Sequence, residues 1–315
     1  MRFKGPDCGW TKATGGGGSA LVRKATPMCL VIFDIDGTLI KSTETDADCF
    51  VRSLAEICGF GDVDTDWSRY KRVTDSGVFH EIHEARTGRT PSAVEVSRFR
   101  QHFVSLLAQA SSECPLLPMA GAPQLLAWLS RSEQYRVALA TGAWREAARL
   151  KMASAGLCYD DYPAAAGDDA SGRESIIRLS MRRAADRYGG FDSAVYIGDA
   201  VWDARACRAV GIPFIGIGVG ARATRLLEEG AMCVFPDLSD QGTFLRSLDA
   251  SATWPGTAAG HDINRRVNQS IDVDSSDPTP ANFRPARTFC CGSPVPPSRP
   301  TGGSTAGRYD RNPCS

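Results

Sequence analysis

The chain carries no surplus of charge: 36 lysine and arginine residues balance 36 aspartate and glutamate residues. Proteins that hold nucleic acid or an anionic membrane through bulk charge need a basic excess, so neither partner is expected. No apolar run reaches the roughly 20 residues that a membrane-spanning helix needs, and no apolar leader stands near Met1. The expected location is therefore the cytoplasm. Cys-x-x-Cys is missing although there are 11 cysteines. Cys29, Cys49, Cys58, Cys158, Cys207 and Cys233 sit in apolar or helical surroundings and are expected as small buried hydrophobes in a reducing compartment. The late Cys290, Cys291 and Cys314 lack the spacing of zinc ligands. Lysine runs out early, with none after Lys151.

Large aliphatic residues nearly vanish after residue 250, where Pro, Ser, Gly, Asn and Arg dominate. Such a segment cannot bury enough apolar surface to offset its ordering entropy, so 251–315 is expected to be a disordered tail. Residues 1–27, with the run Gly15-Gly16-Gly17-Gly18-Ser19, read as a flexible extension. Met28 is a second plausible start.

Between these ends one stretch organises the chain: Leu30-Val31-Ile32-Phe33-Asp34-Ile35-Asp36-Gly37-Thr38-Leu39. A short apolar run ending in turn residues reads as a strand buried on both faces of a parallel sheet. Asp34 falls at its carboxyl end, where open α/β sheets bind ligands. Asp34 and Asp36, two apart, are expected to point the same way on extended backbone, with Gly37 allowing a sharp exit. Two carboxylates and nearby carbonyls suit a hard divalent cation such as Mg²⁺. An Asp-Gly turn after a strand offers the same letters without that role.

Strand and helix patterns then alternate. Helical spacing covers Glu44–Ile57, a stretch near Trp67–Val73, and Ser92–Ser111. Thr74-Asp75-Ser76-Gly77 reads as a loop between the last two. After Pro118 come a helix over Ala122–Ser130, a strand over Arg136–Ala140 and a helix over Arg145–Ala155. A short strand at Tyr162–Ala166, a helix at Arg173–Tyr188 and a strand at Ala194–Ile197 follow. The series ends with a helix over Asp203–Val210, a strand over Pro213–Ile217, and a last helix, strand and helix to Leu248. Such alternation predicts a doubly wound α/β parallel sheet. His80 and His83, three apart, have no evident third metal ligand.

Asp34-Ile35-Asp36-Gly37-Thr38-Leu39 resembles, over all six positions, the first motif of the haloacid dehalogenase-like (HAD) phosphatase superfamily. The chain as a whole resembles its phosphoglycolate-phosphatase-like members. The resemblance implies a Rossmann-like core over 28–41 and 116–250, and an inserted all-helical cap over 42–115 that chooses the substrate. It implies Asp34 as nucleophile and Asp36 as general acid/base. Thr141 with Gly142, at the end of the second strand, resembles the second motif and would hold phosphoryl oxygens, although Thr-Gly is also an ordinary turn. The third motif is usually lysine. Here the best placed cation is Arg173, with Arg178, Arg182 and Arg183 as alternatives. Gly198-Asp199-Ala200-Val201-Trp202-Asp203 resembles the metal motif, making the Mg²⁺ set Asp34, Asp36 through its backbone carbonyl, Asp199 and, at second hand, Asp203. The cap loop Thr74, Asp75, Ser76 and Gly77 is expected either to read the non-phosphate part of the substrate or to be a plain turn.

These readings imply a Mg²⁺-dependent phosphatase acting on a small phosphorylated metabolite through an aspartyl-phosphate. A phosphomutase shares the residues and remains open. A phosphonate hydrolase would need a Schiff-base lysine, for which Lys71 is the candidate. A haloalkanoate dehalogenase needs no acid at Asp36.

Overall fold

In a computed structural model that describes residues 27–251, the apolar run forms β1, Cys29–Phe33, buried at every position. Its alternating side chains feed two cores. Cys29, Val31 and Phe33 join one cluster, while Leu30 and Ile32 join another. This two-sided burial follows from period-two side-chain alternation in a covered strand.

The remaining strands are β2 (Tyr135–Ala140), β3 (Ala164–Ala165), β4 (Ser193–Gly198), β5 (Phe214–Ile217) and β6 (Cys233–Phe235). All pair in parallel, in the order β3-β2-β1-β4-β5-β6. Phe33 is level with both Leu139 and Ile197, so Asp34, Thr141 and Asp199 all emerge at one edge of the sheet. The chain winds outward from β1 through β2 to β3, then restarts at β4 on the other side of β1. That reversal opens a crevice beyond β1 and β4, the usual ligand position in such sheets.

One face of the sheet is covered by α4 (Ala122–Arg131), α5 (Arg145–Ser154) and α9 (Gln241–Ser251). The other is covered by α6 (Arg173–Tyr188), α7 (Val201–Val210) and Leu226 of α8 (Gly220–Glu228). Ser251, expected in the tail, is the buried last residue of α9. The rest of the tail, and residues 1–26 of the N-terminal extension, lie outside the described residues.

Between β1 and α4 lies a helical block with its own apolar cluster. It contains α1 (Thr43–Ser53), a π-type turn at Leu54–Cys58, a 3₁₀ turn at Trp67–Arg69, α2 (Asp75–Thr87) and α3 (Ala93–Glu113). Phe79 stacks on Phe99 with centroids 4.2 Å apart, and Phe50 meets Phe99 edge-on at 5.0 Å. Trp144, from the loop after β2, plugs into this cluster at 6.0 Å from Phe99 and 5.8 Å from Phe103. A stretch of the sheet domain thus completes the block's core.

Two local expectations differ from what forms. The helix foreseen near Trp67–Val73 is a single 3₁₀ turn. Asp66 caps it through the Ser68 N–H, and the chain then extends at Tyr70. The Lys71 and Arg72 amides donate to the Glu81 carboxylate at 3.0 and 2.8 Å, away from any helical ladder. Thr74–Gly77 is no loop. Thr74 is the N-cap of α2, its hydroxyl accepting from the Gly77 N–H at 3.0 Å, and the next three residues form the first turn. Small polar residues at a helix start carry the same composition as a turn. Cys158 is also exposed, at the edge of a 3₁₀ turn. The Nδ1–H groups of His80 and His83 donate to Ser76 O and Arg89 O respectively.

Candidate active site

Asp34 leaves β1 with its N–H donating to Ile197 O at 2.9 Å, which anchors it at the crevice. The backbone then turns tightly. The N–H groups of Thr38, Leu39 and Ile40 all point at Ile35 O. Gly37 sits at φ +71°, and a Cβ there would lie 2.2 Å from Asp199 Oδ2. The glycine lets the β1 loop press directly against the carboxylate that ends β4.

That turn separates the two aspartates expected to converge. Asp36 lines the same cleft but stands outside the acidic group: its Oδ1 accepts from the Ser42 hydroxyl at 2.5 Å and its Oδ2 from Lys151 Nζ at 2.7 Å. The carboxylates that do converge are those of Asp34, Asp199 and Asp203, with one oxygen of each within 4.8 Å of the others. Asp203, in the first turn of α7, is fully buried, and its Oδ2 has no hydrogen-bond partner.

Arg173, at the start of α6, is the cation that enters this group. Its Nη1 lies 3.4 Å from both Asp34 Oδ1 and Asp203 Oδ1, and its Nε donates to Val73 O at 3.0 Å. Two of the alternatives are engaged elsewhere. Arg183 binds Asp169 and Ala164 O, and Arg178 points to Ala209 O. Gly142 accommodates Arg173, since a Cβ there would lie 2.8 Å from the guanidinium carbon. Thr141 is buried with its hydroxyl accepting from the Ala143 N–H at 3.2 Å, and it does not line the cleft, whereas Gly142 does. Asp199 is met from outside by Arg222, at 2.8 Å.

The charge in this group is unbalanced, and its acids respond. Burial and then Asp203 push Asp34 up to about 8, against the pull of Arg173. Burial and then Asp34 push Asp199 up to about 7, against Arg222. Burial raises Asp203 to about 6, with Arg173 opposing. Three crowded carboxylates, one with an orphaned oxygen, are a donor set that fits a hard divalent cation.

Around this group opens a cleft of about 320 Å³ between sheet and helical block. Thr74 and Asp75 line it; Ser76 and Gly77 do not. The polar atoms of Asp75 and Ser76 reach the sheet domain. Asp75 Oδ2 accepts from the Trp144 N–H at 2.8 Å, the Asp75 N–H donates to Gly142 O at 2.9 Å, and Ser76 Oγ accepts from Trp144 Nε1 at 2.7 Å. Burial raises Asp75 to about 8, with Asp46 adding to the effect.

Sequence reasoning missed Lys151, Ser42, Asp46 and Arg222. A signal existed for Lys151: it shares a helix face with Ala147, Ala148 and Met152, all buried, where an apolar residue is expected. Asp46 and Arg222 left no such mark, because their partners are 105 and 23 residues away.

A family model described as haloacid dehalogenase-like hydrolase matches residues 28–211. A curated phosphoglycolate phosphatase from Rhodospirillum rubrum is 26% identical over 227 residues, covering 68% of this chain and 90% of the relative. Among solved structures, a hydrolase from Pseudomonas syringae superposes with TM-score 0.56 at 21% identity, covering 69% of this chain and 97% of its own. A putative β-phosphoglucomutase from Bacteroides vulgatus gives TM-score 0.56 at 21% identity, covering 73% and 92%. CbbY from Rhodobacter sphaeroides, solved in complex with phosphate, gives 0.50 at 20% identity, covering 68% and 96%.

Proposed function

The chain belongs to the haloacid dehalogenase-like hydrolase family, and on that premise we propose that it is a Mg²⁺-dependent phosphatase that hydrolyses a small phosphomonoester through an aspartyl-phosphate on Asp34. The observation that carries this reading is the group at the β1–β4 crevice: Asp34 against Asp199 and Asp203, with Arg173 reaching in. Asp34, Asp199 and Asp203, with the Asp36 carbonyl, would hold Mg²⁺. When bound, the ion screens the charge between the nucleophile and the phosphate.

The chain's own groups do the rest. The Asp34 carboxylate attacks phosphorus in line with the leaving oxygen. Arg173 and the backbone at Gly142 hold the phosphoryl oxygens by charge and N–H donation. Asp36 protonates the leaving alkoxide, then takes a proton from the water that opens the aspartyl-phosphate. The helical block, 42–115, acts as the cap over the 28–41 and 116–250 core and keeps bulk water out. Thr74 and Asp75 border the substrate, while Ser76 and Gly77 shape the docked start of α2. The protein acts in the cytoplasm; among the described residues no helix is long and apolar enough to cross a membrane.

The helical block brings carboxylates to the cleft, Asp46, Asp66 and Asp75, and the sheet domain brings arginines, Arg173, Arg222 and Arg225. Phe50, Trp67 and Trp202 provide apolar wall. Lys71 is exposed and does not line the cleft, which speaks against a Schiff-base phosphonate hydrolase. The test is phosphate release from a panel of neutral and carboxylated phosphomonoesters, with Mg²⁺ and with excess chelator, for the native chain and Asp34→Asn. Turnover that survives chelator or Asp34→Asn would refute the mechanism.

A further inference from the structure

Helix α5 buries Ala147, Ala148, Lys151 and Met152 along one face. Three of these are what such a face requires. Lys151 is not, yet its side chain is fully enclosed. An enclosed ammonium is tolerated only when partners replace its water. Lys151 Nζ has two, Asp36 Oδ2 at 2.7 Å and Asp46 Oδ1 at 2.6 Å. They come from different parts of the fold: Asp36 from the loop after β1, Asp46 from α1 of the helical block. The second oxygen of Asp36 accepts from Ser42 at 2.5 Å. Asp36 is thus gripped through both oxygens, and one grip passes through Lys151 to the helical block.

Simple packing does not ask for this arrangement. A methionine at position 151 would fill similar space without a charge to neutralise, as Met152 does next to it. What the ammonium adds is direction. It fixes the rotamer of a carboxylate that lies two residues from Asp34, and through Asp46 the same ammonium is tied to α1.

We propose that Lys151 is a positioning residue for the hydrolytic reaction: its ammonium sets the Asp36 carboxylate for proton transfer and, through Asp46, makes that setting depend on the docked helical block. The inference rests on the reading of Asp36 as general acid/base given above. Proton transfer needs the acid within hydrogen-bond reach of the leaving oxygen, and a displacement of about 1 Å can cost on the order of 10²-fold.

The test separates positioning from a merely structural bridge by the leaving group. p-Nitrophenolate departs without a proton, whereas the alkoxide of β-glycerophosphate needs one. kcat/KM is the quantity to read, because it covers phosphoryl transfer to Asp34 and not the later hydrolysis, in which Asp36 acts on both substrates. The full chain with Mg²⁺ is compared with Lys151→Met and with the double variant Lys151→Met/Asp46→Asn. The double variant removes one positive and one negative charge together, so it folds even where the single variant leaves two carboxylates unneutralised. The expected result is a loss of about 10²-fold on β-glycerophosphate and of less than about five-fold on p-nitrophenyl phosphate, because only the former draws on the acid. Asp46→Asn alone, which keeps Lys151 on Asp36 but loosens its tie to α1, should show the same selectivity at smaller size. Equal losses on the two substrates would make Lys151 a structural bridge and overturn the proposal, as would unchanged kcat/KM on both. Should p-nitrophenyl phosphate turnover persist in Asp34→Asn, the reaction assignment itself fails, independently of Lys151.

Discussion

Gly37→Ala perturbs the proposed metal site without touching a ligand. Two costs arise. The first is conformational: at φ +71° an alanine pays about 1–2 kcal/mol for left-handed backbone. In a domain of this size that lowers Tm by roughly 2–4 °C per kcal/mol. The second is a collision. The new methyl would stand 2.2 Å from Asp199 Oδ2 and 2.6 Å from its carboxyl carbon, where ordinary contact begins at 3.4 Å. Asp199 must therefore retreat by roughly an ångström, a displacement that can cost on the order of 10²-fold in rate. Apparent Mg²⁺ affinity should weaken by about 10–100-fold, as when a metal ligand loses its support. Gly59→Ala is the control. Gly59 has φ +73° and nothing within 4 Å of its would-be Cβ, so it carries the backbone cost without the collision. The assay is a Mg²⁺ titration of kcat/KM for both variants, with melting curves alongside. The two should lose similar Tm, and only Gly37→Ala should shift the Mg²⁺ midpoint. Matching Mg²⁺ responses in both variants would refute the placement of the metal against Asp199.

Three further outcomes follow from the site. In chelator, stability should fall as pH rises from about 4 to about 8. Asp34, Asp75, Asp199 and Asp203 start from an unfolded value of 3.8 and are raised to about 8, 8, 7 and 6 in the folded chain. The folded state binds more protons across that window, and destabilisation grows through it. Asp34→Asn should raise the chelated protein's Tm at pH 8 and not at pH 4, and a rise of equal size at both would contradict the burial argument. Arg222→Ala removes the half-exposed guanidinium that holds Asp199 at 2.8 Å, so calorimetric Mg²⁺ binding should tighten a few-fold; weaker binding would show that Arg222 supports the site. Thr74→Ala deletes the N-cap of α2 and should cost about 1 kcal/mol, read as a lower Tm that Thr74→Ser restores. Failure of serine to restore it would mean the methyl group, and not the cap, is what matters.

The elements were legible in the chain because burial on a sheet face and on a helix face leave periods of two and 3.6 residues. The run from Leu30 to Phe33 and the helix Arg173–Tyr188 are read directly from those periods, and the latter forms with the foreseen bounds. Asp34 and Asp199 were legible for a related reason. They directly end apolar strands, and parallel strands in register bring their ends together. Arg173 could be chosen over Arg183 only by its place at a helix start; that Arg183 is held by Asp169 depends on the fold.

The misses share one cause. Thr74–Gly77 reads as a loop because a helix cap and a turn use the same small polar residues, and only the hydrogen bond from Gly77 to Thr74 separates them. The Asp36 carboxylate was expected in the acidic group and stands outside it, because the turn around Ile35 O breaks the extended geometry. The sequence by itself determined the sheet, the alternation of helices, and which acids stand at strand ends, since these depend on local periodicity and on where apolar runs stop. Only the tertiary structure decided that Asp203, and not the side chain of Asp36, completes the acidic group with Asp34 and Asp199. It alone decided that Lys151 joins Asp36 to Asp46, and that Trp144 completes the core of the helical block. Those are contacts between segments distant along the chain, and no local pattern records which distant charges or rings will meet.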